Sequence, residues 1–175
     1  MTPSDFELNS HHKFAKTDAY HFATIAKRRP PVENDIDFKF TLELAEFIMR
    51  YGAEPDRDLR ELWSRIVSSI AVSNTDDHLR NHGFLLSESG WSLSPAYDIT
   101  PNPPGYGLSL NISESDNALD FSLPLQVAPS FRLSAREANN ILKKTTGIVS
   151  LWKTYANAVA PPGSEQETMT PAFHY

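Results

Sequence analysis

Asp76, Asn81 and Asp98 have the residue types and the order of a phosphoryl-transfer site. In such sites one aspartate accepts or orients the proton of the attacking hydroxyl. An asparagine five positions later binds magnesium, together with a second aspartate beyond a hairpin. The transition state is mainly a problem of charge, so hard oxygen ligands that place Mg²⁺ do much of the work. The pattern favours phosphoryl transfer, with a cluster of turn and capping residues as the alternative reading.

A helix and a hairpin are needed to position these side chains. Apolar residues at i, i+3, i+4 and i+7 between residues 59 and 71 predict a helix that feeds the polar loop at residues 73–78. Residues 83–86 and 91–93 are predicted to be short strands joined by a Ser-Glu-Ser-Gly turn. We expect this hairpin to bring Asp98 towards the loop from a second direction.

Further helices are predicted on both sides of this unit. Residues 17–29 and 40–51 have helical patterns that stop at a Pro-Pro pair and at a glycine, respectively. A capping box at residues 134–137 opens another helix. A last helix, ended by a second Pro-Pro pair, carries Trp152 and Tyr155 as predicted core residues. The predicted fold is therefore mainly α-helical with one central β-hairpin.

Polarity divides the chain into three predicted parts. Residues 1–16 are expected to be a flexible N-terminal segment, residues 17–160 the folded domain and residues 161–175 a polar, mobile tail. The full length of 175 residues is enough for one domain with its own core.

Composition excludes several classes of function. The chain has no cysteine, so disulfide bonds and thiolate metal sites are excluded. Its net charge of −6 argues against a broad, sequence-independent grip on nucleic acid. Neither a signal peptide nor an apolar stretch of roughly 18 residues is present, so we expect a cytoplasmic protein without membrane contact.

Two histidines near the loop could suggest a different metal site. His78 and His82 have the i, i+4 spacing of zinc proteases, but Leu79 stands where that motif has glutamate. The spacing therefore does not favour a metal hydrolase. We interpret His78 as packing within the loop and His82 as a surface residue. Asp77 is interpreted as a solvated carboxylate that caps the following turn, with a third magnesium contact as the alternative.

Longer strings around the loop resemble a known family. NTDDHLRNHGFL, followed by WSLSPAYDITPNP, resembles the C-terminal domain of HipA-type serine/threonine kinases, the toxin kinases of bacterial hip toxin–antitoxin systems. LELAEFIMRYGAE and DLRELWSRIV resemble the helices before the catalytic loop of that family, and LPLQVAPSFRLSAREANNIL resembles the segment after it. The resemblance runs from about residue 17 to about residue 160 and implies a helical, protein-kinase-like C-lobe.

The resemblance also implies roles for individual residues. Asp76 matches the catalytic aspartate, and His78 lies in the same motif and would support the shape of the loop. Asn81 and Asp98 match the magnesium ligands, which bind the metal together with ATP. The implied reaction is ATP-dependent phosphorylation of a protein serine or threonine. An aminoacyl-tRNA synthetase is the best-known substrate of the family, and a small DNA-binding antitoxin of the HipB type is the usual partner.

The chain departs from the family in the part that covers the nucleotide. Its seven glycines form no G-x-G-x-x-G loop, and no lysine lies in a convincing strand near the N-terminus. We therefore expect the N-lobe to lie outside this chain and the chain alone not to turn over ATP. The alternative function is a non-catalytic or split-kinase binding module that acts through an antitoxin or an N-lobe partner. That alternative predicts an exposed apolar patch.

Overall fold

The computed structural model describes residues 41–175 and the backbone of residues 18–21. The predicted mainly helical fold with a central hairpin is confirmed. In this part of the chain no helix is both long and apolar enough to cross a membrane. The helices are α1 Thr41–Tyr51, α2 Pro55–Ala71, α3 Ser122–Val127, α4 Ala135–Val149, α5 Trp152–Val159 and α6 Gly163–Met169, and the strands are β1 Asp18–His21, β2 Gly83–Ser87 and β3 Gly90–Leu93.

The strands form one antiparallel sheet in the order β1-β2-β3. Leu86 pairs with Trp91 in β3 and with Asp18 in β1, so β2 is the central strand. The helix predicted for residues 17–29 is wrong at 18–21, where the chain is β1; the remainder of that prediction lies outside the described residues. The physical reason is that pairing with the free edge of β2 supplies hydrogen bonds that local propensity does not reveal.

The hydrophobic core lies between α1, α2 and the hairpin. The ring of Phe47 in α1 meets Phe84 of β2 edge-on, with centroids 4.9 Å apart, and lies 6.0 Å from Trp91 of β3. Trp63 of α2 is fully buried, and its indole Nε1 donates a hydrogen bond to the carbonyl of Pro124 at 2.9 Å. The hairpin is therefore packed against α1, and α2 is joined to α3.

Two further contacts hold the hairpin in place. Asp58, near the start of α2, is 2 % exposed and accepts the backbone N–H of Leu93 at 2.7 Å. Gly90 opens β3 with a φ of 129°, and a Cβ at this position would lie 2.8 Å from the carbonyl oxygen of Tyr51. Only glycine fits this turn without strain, so the hairpin is pinned between the two helices.

The first C-terminal helix begins where its local signal places it, but the packing of these helices differs from expectation. The predicted capping box is confirmed, since Ser134 Oγ accepts the Glu137 N–H while Glu137 Oε2 accepts the Ser134 N–H. Trp152 is half-buried, but Tyr155 is 62 % exposed, so its predicted core position is wrong. Helical periodicity identifies an apolar face without showing what covers it.

The segment 161–175, expected to be a mobile tail, contains α6 and a 3₁₀ turn, Thr170–Ala172. Ala172 is fully buried, and the ring of Phe173 stacks on Trp152 with centroids 4.3 Å apart. Few apolar residues are present in this segment, but three of its last residues find partners on the folded domain. Their contacts are therefore tertiary and could not be read from local polarity.

Candidate functional site

The loop after α2 starts with an unusual backbone. Ser73 is buried and has a φ of 49°, in the left-handed region that non-glycine residues rarely adopt. Asn74 is 2 % exposed; its N–H donates to the carbonyl of Ser69, and its Oδ1 accepts the N–H of Thr100 at 3.2 Å. Asn74 thus connects the start of the loop to the segment that carries Asp98.

Asn81 and Asp98 are brought together by a short 3₁₀ helix, Leu79–Asn81, and the return of the hairpin. Asn81 is 5 % exposed, and its Nδ2 donates a hydrogen bond to Asp98 Oδ2 at 2.7 Å. Its Oδ1 accepts the backbone N–H of His78 at the longer distance of 3.4 Å. Asp98 itself is exposed and has a φ of 58°, so its backbone bends sharply as it presents the carboxylate.

The other two predicted site residues lie in the same loop. The Asp76 side chain is exposed, directly before the buried Asp77, and therefore faces solvent. His78 is half-buried, and its Nδ1 has no hydrogen-bond partner among the described residues. The backbone contact of His78 with Asn81 fits its predicted part in shaping the loop.

Asp77 and His82 form a buried contact beneath the loop. His82 Nε2 lies 3.1 Å from Asp77 Oδ1, and Ser69 Oγ donates to Asp77 Oδ2 at 3.2 Å. His82 is 2 % exposed and Asp77 is 9 % exposed. The predictions of a solvated Asp77 and a surface His82 are therefore wrong. The reason is that α2 and the start of β2 converge here, so these polar groups tie the loop to both elements.

A second loop, which contains Asn102, Gly105 and Ser109, is hydrogen-bonded to the first loop. The sequence analysis did not connect this loop to the site. Asn102 donates its N–H to the Ser73 carbonyl at 3.0 Å and its Nδ2 to Thr75 Oγ1 at 2.6 Å. The carbonyl of Thr75 accepts Ser109 Oγ at 2.7 Å. Gly105 approaches so closely that a Cβ at this position would collide with the Thr75 side chain. The Asn-Pro and Pro-Gly dipeptides of this loop were the available sequence signal. They predict turns, but they do not show which segment the turns contact.

Tyr97 fixes the return of the hairpin next to Asp98. Its hydroxyl donates to the Arg80 carbonyl at 2.7 Å. Burial raises the pKa of Tyr97 above its usual value; the negative charges of Asp98 and Asp77 act in the same direction, and Arg65 opposes them. Tyr97 therefore stays neutral and keeps this hydrogen bond at neutral pH.

The donor set suits a hard cation. Carboxylate and amide oxygens are ligands that Mg²⁺ accepts, and Mg²⁺ keeps several waters, so one carboxylate and one amide are enough. The Asn81 amide now turns its nitrogen towards Asp98, and rotation would present Oδ1 instead at the cost of the long contact with His78. Among the described residues no three His, Cys, Asp or Glu side chains cluster around a common point.

Comparison with known proteins gives a family and a fold. A solved complex of the Shewanella oneidensis MR-1 toxin–antitoxin system, HipA with HipB and operator DNA, matches with a TM-score of 0.62 at 14 % identity. The match covers 75 % of this chain and 32 % of the other, so the chain spans about a third of that protein's length and the likeness shows the fold alone. No curated protein matches significantly. The HipA-like C-terminal domain family matches residues 12–152, and the chain therefore belongs to that family.

Proposed function

We propose that the chain is the C-lobe of a HipA-like, ATP- and magnesium-dependent protein serine/threonine kinase. The observation that carries the proposal is the 2.7 Å contact between Asn81 and Asp98, beside a loop that exposes Asp76. Asn81 and Asp98 are 17 positions apart and their side chains are in contact, and the three residues have the order and types that phosphoryl transfer needs.

Each residue has a distinct role in this proposal. Asn81 and Asp98 hold magnesium, which would neutralise charge on the phosphates when bound. Asp76 accepts or orients the proton of a serine or threonine hydroxyl; its exposure allows a protein substrate to reach it. His78 holds the loop in shape through its backbone contact with Asn81. Asp77 is given a structural role and no magnesium role in this proposal, because it is buried and its oxygens contact Ser69 and His82.

The biological setting is part of the proposal. The matched solved protein is a HipA in complex with HipB and operator DNA, which supports a toxin role with a HipB-type antitoxin as partner. The net charge of −6 suits contact with DNA through that partner rather than directly. A substrate such as an aminoacyl-tRNA synthetase and a cytoplasmic location follow from the family resemblance.

A second candidate is a split-kinase binding module. Exposed apolar side chains flank the site, including Ile99 at 47 % and Tyr106 at 95 % exposure. Ile99 follows Asp98 directly, and Tyr106 follows the glycine that packs on Thr75. This placement suits an N-lobe polypeptide that covers the nucleotide side of the site. In that case nucleotide binding requires the N-lobe as well.

The test is calorimetric titration of the full chain with a non-hydrolysable ATP analogue, with and without Mg²⁺. Binding that requires Mg²⁺ is expected, and Asp98→Ala and Asn81→Ala should abolish it. Asp56→Ala is the matched control, because this carboxylate is 81 % exposed at the opposite end of α2. Equal binding by wild type and Asp98→Ala would refute the site. Absence of binding in every variant would support the split-kinase candidate.

A further inference from the structure

The end of the chain lies against the start of the catalytic loop. The N–H of His174 donates to the carbonyl of Ala71, the last residue of α2, at 2.8 Å. The ring Nε2 of His174 lies 2.8 Å from Ser73 Oγ. One residue therefore makes a backbone and a side-chain hydrogen bond at the point where the helix becomes the loop.

Ser73 is the residue of the loop that most needs such support. Its left-handed backbone costs free energy for a side chain with a Cβ, and such conformations persist only where surrounding contacts determine them. Its carbonyl accepts the N–H groups of Thr75 and Asn102 at 2.8 and 3.0 Å. The position of Ser73 consequently sets both the turn that leads to Asp76 and the attachment of the second loop.

A second anchor holds this end of the chain in place. The Phe173 ring stacks on Trp152 with an interplanar angle of 16°, and Ala172 beside it is fully buried. Gln166 of α6 donates to Asn157 of α5 at 3.0 Å, which connects the segment back to the preceding helix. The family match ends at residue 152, so Trp152 is its last matched residue. Phe173 and the rest of the anchoring segment lie beyond the match.

We propose that residues 170–174 form a latch that holds the catalytic loop in its working shape, with His174 as the positioning residue that acts through Ser73. The link of this latch to catalysis rests on the proposed function, whereas its mechanical role does not.

Hydrogen exchange measured by mass spectrometry on the full chain tests the latch without nucleotide. His174→Leu should accelerate exchange of the amides in residues 73–82 by about fivefold, the effect of losing one net hydrogen bond. His174→Gln should restore protection, because its amide reaches the position of the ring Nε2. Tyr175→Ala is the control, since this neighbour is 67 % exposed, and it should leave the loop unchanged.

The outcomes separate a latch from general destabilisation. Faster exchange confined to residues 73–82, rescued by His174→Gln, supports the latch. An unchanged loop in His174→Leu overturns it, and so does an equal acceleration in α2 and α4, which would show loss of stability throughout the domain. Phe173→Ala removes the second anchor without touching Ser73 and should accelerate the same loop amides.

Titration of the same variants with the ATP analogue and Mg²⁺ connects the latch to the site. Binding by His174→Leu should weaken by about fivefold if the loop is the catalytic one, and His174→Gln should recover it. If the wild-type chain does not bind the analogue, the proposed nucleotide site of the isolated chain fails. The exchange result still decides the latch, so the two failures remain distinguishable.

Discussion

Replacing Asp58 by alanine is expected to lower the free energy of unfolding by about 2 kcal/mol, because a buried charge-assisted hydrogen bond is lost. The Asp58 carboxylate is 2 % exposed and accepts the Leu93 N–H at 2.7 Å. After substitution that N–H has no acceptor within the hairpin. The same bond positions β3, so the Leu93 amide should also exchange faster than in the wild type.

The magnitude follows from two opposing contributions. A hydrogen bond to a charged group contributes about 1.5–3 kcal/mol, and losing the buried carboxylate removes its desolvation cost. Arg57 lies 3.0 Å from Asp58, and this hydrogen bond is the main reason that the pKa of Arg57 is raised. The Arg57 side chain is 60 % exposed, however, so water can solvate it after the substitution. The ion pair therefore adds at most about 1 kcal/mol.

Urea denaturation of three variants measures this effect. Asp58→Asn keeps an acceptor oxygen for Leu93 and should lose about half as much stability as Asp58→Ala. Asp56→Ala is the matched control: it breaks a 2.7 Å ion pair with Arg132 whose side chains are 50 % and 81 % exposed, and should cost less than about 1 kcal/mol. If Asp58→Ala costs no more than Asp56→Ala, the reasoning from burial is refuted.

Three further predictions concern the core, the loops and the hairpin. Trp63→Phe should cost about 2 kcal/mol in urea denaturation, since it removes ring volume and the hydrogen bond to the Pro124 carbonyl. Gly105→Ala should cost about 1–3 kcal/mol and weaken magnesium-dependent nucleotide binding in calorimetry, because the new Cβ collides with Thr75. The raised pKa of Tyr97 means that its stabilising contribution is complete below about pH 10 and declines above it, where the unfolded phenol ionises first. The difference in unfolding free energy between wild type and Tyr97→Phe should therefore shrink as the pH rises through that value.

Each of these predictions has its own check. Gly147→Ala is the control for the loop glycine: nothing lies within 4 Å of the new Cβ, and a helical alanine should stabilise by about 0.5–1 kcal/mol. Tyr106→Phe is the control for the titration, because this side chain is 95 % exposed. A pH profile of Tyr97→Phe parallel to that of the wild type would contradict the assignment. For Trp63→Phe, a loss below about 0.5 kcal/mol would show that the indole bond contributes nothing.

Burial reverses what the sequence suggested about the polar residues of the loop. Asp76 and Asp77 are adjacent and identical in type, yet Asp76 faces solvent and Asp77 contacts His82 and Ser69 inside. Nothing local distinguishes two neighbouring aspartates. The distinction arises because α2 and β2 approach one side of the loop, and the carboxylate on that side finds partners.

The sequence by itself determined the features that depend on neighbours along the chain. The periodicity of residues 59–71 predicted α2, and the capping box predicted the start of α4, because a helix is specified by residues three and four positions apart. The order of Asp76, Asn81 and Asp98 likewise indicated where chemistry could occur, and a resemblance over most of the chain named the family.

Only the tertiary structure decided the features that join distant segments. The contact of Asn81 with Asp98, the pairing of β1 with β2, and the hydrogen bond of His174 with Ser73 each depend on where another element lies. Such contacts depend on the burial of the core and not on local propensity. From local sequence alone, the same segments are predicted to be a turn, a helix and a tail.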